Sequence, residues 1–265
     1  MLRSTRDLES YRVEAEDGPV GAVSDFLFDD ERWTIRYLVT DTGSFFEDRR
    51  VLISPISFRR ADWSTRAFHL ALTRDKVKAS PSIDVDEPVS RQRERDYYRF
   101  YGWPEYWGHA TPYSWGVGPD PGSLVASGVP FSIEDPDVGD HHLRSAHVVT
   151  GYHVQGSDGE IGHVSDLIVD DQTWDIRYLV VDTSNWWVGK KVLVSPRWAD
   201  RVSWEESKVF IGLPRETIRS CPEWNPRAPV NREYELRMFD YYGRPTYWQA
   251  PAPIDAPGGA LPPVL

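Results

Sequence analysis

Three carboxylates recur at one spacing in two parts of the chain: Asp25, Asp29 and Asp30, then Asp166, Asp170 and Asp171. A Ca²⁺ loop takes oxygens from close alternate positions around a flexible glycine, and neither set offers that pattern. Both sets read as structural. Asp29 and Asp170 sit at turns, where a carboxylate accepts backbone N–H groups just ahead of it. Asp25 and Asp166 are expected to pair with a neighbour such as Arg36 or Arg177. The seven histidines form no repeated ligand set, since His69, His153 and His163 face Phe210, Arg12 and Ala22 at the corresponding positions. His141, His142 and His147 cluster in sequence but lack the fixed ligand cage of a tight metal site. Cys221 corresponds to Ser80 and has no nearby histidine to activate it, so it reads as structural. Ser54 and Ser195 precede proline rather than occupying a strained Gly-x-Ser-x-Gly turn. No acid, base or nucleophile set is shared by both parts, so no catalytic residue, metal or cofactor is expected.

The recurrence extends well beyond the carboxylates. Residues 1–107 align with 142–248 without a gap at an offset of 141, and more than a third of the positions are identical, which marks an internal repeat. "GPVGAVSDFLFDDERWTIRYLVTDT" lies over "GEIGHVSDLIVDDQTWDIRYLVVDT". Residues 108–141 read as a Gly/Pro/Asp-rich linker and 249–265 as a disordered Pro/Ala-rich tail. Within each repeat, Asp17-Gly18 suits a tight hairpin turn and Pro55 ends a strand run. "WTIRYLVTD" places Trp33, Ile35, Tyr37 and Val39 on one face by its period of two. Short strands with close turns predict a mainly β fold, in which a small closed barrel removes the edges.

The strands are followed by helix signals. "TRDKVKASP" and "PRETIRSCP" predict a short helix stopped by Pro81 or Pro222. Next comes an aromatic run, "DYYRFYGWPEYW" in one copy and "FDYYGRPTYW" in the other. Ser90 and Asn231 suit the N-cap, and Gly102 and Gly243 the left-handed residue after the last turn. Tyr97, Phe100 and Tyr101, like Met238, Tyr241 and Tyr242, then share a face. Tyr97, Tyr101, Tyr106 and Trp107, with Tyr242, Tyr247 and Trp248, are expected to pack on the strands. Aromatic residues also furnish the candidates for an interaction surface: Phe45, Phe46, Trp186 and Trp187 in a loop, and Trp103, Trp107 and Trp248 in the tails.

These motifs resemble the PRC-barrel family, on "DGPVGAVSDFLFD" at 17–29 and its counterpart at 158–170. The resemblance continues through "IRYLVTDT" and "IRYLVVDT", "RRVLISP" and "KKVLVSP", and "LTRDKVKASP" and "LPRETIRSCP". Members of that family form small β-barrels in the cytoplasmic part of the photosynthetic reaction-centre H subunit and at the C-terminus of a ribosome maturation factor. The resemblance implies two tandem barrels, each with an aromatic helix and tail, acting as a non-enzymatic adaptor for a protein partner. A metal or small-ligand sensor using the cleft between the barrels is the alternative, and packing about an approximate two-fold axis is expected. A ribosome- or RNA-associated factor or a reaction-centre H-like protein would also follow from the resemblance, but a net charge of −11 disfavours a nucleic-acid partner. One cysteine, no secretory signal and no membrane-length apolar run point to a cytoplasmic protein.

Overall fold

A three-residue strand and a single helical turn open each repeat: β1 (Leu2–Ser4) with α1 (Thr5–Leu8), and β8 (Leu143–Ser145) with α4 (Ala146–Val149). Ser4 and Ser145 cap these turns by accepting the N–H of Asp7 and Val148. The computed structural model describes residues 1–43, 49–81, 89, 91–104, 142–183 and 189–248. The first repeat continues as β2 (Arg12–Ala15), β3 (Gly18–Asp29), β4 (Thr34–Asp41), β5 (Arg50–Ile53), β6 (Phe58–Asp62), β7 (Ala67–Leu70), α2 (Arg74–Lys78) and α3 (Arg91–Tyr101). The second repeats the order as β9 (His153–Gly156), β10 (Gly159–Asp170), β11 (Ile176–Asp182), β12 (Lys191–Val194), β13 (Ala199–Ser203), β14 (Lys208–Ile211), α5 (Arg215–Ser220) and α6 (Arg232–Tyr242).

Two seven-stranded mixed sheets result, running β5-β4-β3-β2-β7-β6 and β12-β11-β10-β9-β14-β13. The β2–β7 and β9–β14 ladders are parallel and the others antiparallel. The first hairpin turns through Glu16-Asp17, one residue ahead of the expected Asp17-Gly18, and Gly18 pairs with Ala15 at φ 142°. Gly21 and Gly162 lie where β3 and β10 cross their neighbours so closely that an added Cβ would fall 2.0 Å from a carbonyl oxygen of Asp41 or Asp182. The expected barrel closure is corrected: among the described residues no ladder joins β5 to β6 or β12 to β13. The chain instead bends from one edge strand to the other through a single 3₁₀ turn, Pro55–Ser57 or Pro196–Trp198. Proline at that corner has no N–H to offer a ladder.

Each sheet is completed by a strand from the opposite repeat. β1 pairs with β10 in register Leu2↔Asp170, Arg3↔Val169 and Ser4↔Ile168, and β8 pairs with β3 as Leu143↔Asp29, Arg144↔Phe28 and Ser145↔Leu27. The repeats exchange first strands, and one hydrophobic cluster runs through both, from Val13 and Phe28 to Val209 and Phe239. The single face expected for β4 is also corrected. Register shifts between Leu27↔Tyr37 and Phe28↔Ile35, so Ile35 joins the shared cluster while Tyr37 and Val39 join a second one beneath α3. Both faces of β4 are buried, so alternation carries no polar signal there.

Candidate functional site

The repeated carboxylates hold the exchanged segments. Asp166 accepts Ser4 Oγ at 2.5 Å, Thr5 Oγ1 at 3.1 Å and the Arg6 N–H at 3.3 Å. Asp25 accepts Ser145 Oγ at 2.6 Å and the His147 N–H at 3.0 Å. This replaces the expected pairing with Arg36 or Arg177. Those arginines go to the turn carboxylates, Arg36 to Asp29 and Arg177 to Asp170, each at 3.4 Å. Asp29 also accepts the N–H groups of Glu31 and Arg32, as a turn carboxylate should. Asp30 and Asp171 complete the clasp with Arg144 at 2.8 Å and Arg3 at 2.7 Å. Burial raises the Asp25 carboxyl above the usual range, outweighing the Ser145 hydroxyl and the His147 and Phe26 N–H groups that pull it down. Burial likewise raises Asp30 against the opposing pull of Arg144.

The seam between repeats is aromatic. Trp33 and Trp174 end equivalent turns at φ 56° and 61°, a conformation disfavoured for a bulky residue. Each carbonyl accepts across the seam, from Ile176 N at 2.7 Å and Ile35 N at 2.8 Å. Trp174 packs on Phe58 and Phe68, with ring centres 5.5 and 5.9 Å away, while Trp33 stacks on Phe28 at 5.0 Å and tilts against Trp204 at 6.3 Å.

The aromatic helices cover the sheets, but not with the face expected. In α6 the buried side chains are Tyr234, Glu235, Met238, Phe239 and Tyr242, whereas Tyr241 stays 40% exposed. In α3 the pair Tyr97 and Tyr98 is buried, with Tyr101 only partly covered. Each helix also carries a buried glutamate. Glu94 accepts the Tyr37 hydroxyl at 2.8 Å, and His142 Nε2 lies 2.8 Å from its other oxygen. Glu235 accepts the hydroxyls of Tyr178 at 2.6 Å and Tyr247 at 3.0 Å and pairs with Arg232 at 3.1 Å. Burial, with the Glu235 charge beside it, pushes Tyr247 up to about 12. Sequence reasoning missed both glutamates. The available signal was that Glu94 and Glu235 are identical residues at one repeat position, three before Tyr97 or Met238.

Gly102 and Gly243 take the left-handed conformation and Asn231 caps α6 through the Tyr234 N–H, as expected. Trp103 is half-buried, stacked on Tyr101 at 4.3 Å. Trp248 is also half-buried, edge-on to Phe239 at 5.5 Å, with the Arg232 guanidinium 3.8 Å over its ring. Phe45, Phe46, Ser90, Tyr106, Trp107, His141, Trp186 and Trp187 lie outside the described residues. His142 is buried and His147 exposed, so these two members of the histidine run separate. Among the described residues no group of three His, Cys, Asp or Glu side chains is arranged to hold a metal ion. Cys221 is buried, and its desolvation pushes the thiol up to about 11. A shallow cavity of about 170 Å³ lies beside Thr183, where Arg215 pairs with Asp158 and Arg219 with Glu216. No helix among the described residues is long and apolar enough to cross a membrane.

The arrangement therefore fastens elements and repeats to each other, and its buried polar groups face protein rather than open space. An uncharacterized protein of Deinococcus radiodurans is 34% identical over the matched region, which covers 32% of this chain; the chain spans about a third (36%) of that relative's length. Residues 142–217, from the exchanged strand β8 to helix α5, match the PRC-barrel domain family.

Proposed function

We propose that the chain is a tandem pair of PRC-type repeats fused into a pseudo-dimer, acting as a non-enzymatic adaptor for another protein. The observation that carries this reading is the reciprocal exchange of β1 and β8, which makes the repeats one platform with a shared core. The matched family suggests a protein-interaction module, and the gapless repeat extends that reading to the first half. A ligand sensor in the cleft between the repeats is less well supported, because Trp33, Trp174 and Trp204 fill the seam. The half-exposed rings of Trp103 and Trp248 are the proposed contact points, since amphipathic aromatics at a surface suit protein interfaces. Cross-linking and mass spectrometry of the tagged full chain in lysate of its source organism tests this. The expected result is cross-links to a defined protein that are lost with Trp103→Ala and Trp248→Ala at unchanged fold. Cross-links unaffected by both substitutions would remove the tails from the reading, and no reproducible partner would sink the adaptor role.

A further inference from the structure

The contact between repeats is built twice from the same parts. The inserted strands are the same three residues, Leu2-Arg3-Ser4 and Leu143-Arg144-Ser145. Each serine reaches an aspartate of the other repeat, Ser4 to Asp166 and Ser145 to Asp25. Each arginine reaches the next carboxylate, Arg3 to Asp171 and Arg144 to Asp30, while the arginine plane lies over a tryptophan, Arg3 on Trp63 and Arg144 on Trp204. Even the backbone bonds are paired, Asp171 N to Met1 O and Asp30 N to His142 O, both 2.9 Å. Every repeat thus carries one inserting strand and one receiving edge.

We infer that the partner this surface fits is a second copy of the chain, two chains exchanging repeats so that the first repeat of each sits on the second repeat of the other. Among the described residues, the exchanged dimer makes the same atom pairs between repeats as the monomer. Two equivalent interfaces close on each other, so the product is a discrete dimer rather than a fibre. The pairing is of unlike repeats. Trp174 rests on Phe58 and Phe68, and the corresponding residues of the second repeat are Ala199 and Val209. Two second repeats seated together would leave Trp174 against smaller side chains and open a void. Covalent linkage of two binding modules in general gives an effective concentration on the order of millimolar or below, so the monomer dominates in dilute solution and exchange grows with concentration.

A charge-swapped pair of full-length chains tests the inference. Arg3→Glu places two acids together at the clasp, and Asp171→Arg places two bases there. When the two chains exchange, one interface regains an inverted ion pair and the other is wild type. Each variant alone is expected to be a monomer with a lowered melting temperature. Refolded together, they are expected to give a dimer of twice the monomer mass containing one of each chain. Its apparent dissociation constant should be about 10- to 100-fold below that of wild-type exchange, since like charges brought together are costly. Arg144→Glu with Asp30→Arg reads the second clasp the same way and replaces the first pair if either of its members fails to fold. Folded variants that stay monomeric after joint refolding would overturn the inference. That result would leave the adaptor reading standing, because cross-links to a different protein report on it separately.

Discussion

Replacing Asp166 by alanine should separate the repeats energetically before it disturbs either sheet. The carboxylate is 7% exposed and takes two hydroxyls and one backbone N–H from α1 and its cap, besides the Leu167 N–H at 2.8 Å. A hydrogen bond to a charged acceptor contributes about 1.5–3 kcal/mol, but these share one acceptor and the longest is 3.3 Å, so they do not add fully. Because water can reach the rim once the side chain is shortened, the expected loss is about 2–4 kcal/mol. Asp25→Ala should cost less, because position 146 is Ala where position 5 is Thr, and no second hydroxyl reaches the carboxylate. Equilibrium urea unfolding measures both. A cycle with Ser4→Ala isolates the Ser4–Asp166 term, expected at about 1–2 kcal/mol of coupling. Unfolding should remain a single transition, since one cluster spans both repeats. Coupling near zero, or a larger loss at Asp25 than at Asp166, would refute the clasp as described.

Other consequences can be measured separately. The native Asp25 carboxyl is raised above 3.8, so its contribution to stability is fully present below that pH and lost as pH rises through the native value. Carboxyl NMR should show a midpoint above 3.8, and Asp25→Asn should flatten that part of the stability profile. Tyr178→Phe should cost about 1–3 kcal/mol in thermal or urea unfolding, by taking one donor from the buried Glu235 carboxylate. Trp248→Ala should cost about 1–3 kcal/mol, less than a fully buried aromatic, because one side of its ring stays open. Deleting 249–265 should leave the melting temperature nearly unchanged. Cys221 should resist a thiol reagent in the native protein at neutral pH and react on unfolding, its thiol being buried and held near 11.

Much of the local architecture is legible in the residues. Asp17-Gly18, Pro81, Pro222, Gly102, Gly243 and Asn231 act through their own backbone geometry or nearest neighbours, so a short window contains all the information they carry. The offset of 141 likewise announces two equivalent halves before any coordinate is seen. The Asp29 and Asp170 turns belong to the same class, because an acceptor two or three residues ahead of its donors needs no distant partner.

What no window contains is which repeat receives a given strand. Leu2-Arg3-Ser4 could edge its own sheet or the other, and local propensity is identical in both cases. Tertiary packing decided it by offering the β10 edge with Asp166 and Asp171 across the seam. The function of Glu94 and Glu235 was hidden for the same reason: a glutamate on a helix reads as solvated until Tyr37, His142 or Tyr178 is brought to it from far along the chain. The period of β4 failed because a one-residue bulge moves the following side chains to the other face. Sequence determined the repeat, the turns and the caps, which are short-range; tertiary structure decided the strand exchange and the buried acids, because burial of a charge is settled only by partners that the fold assembles.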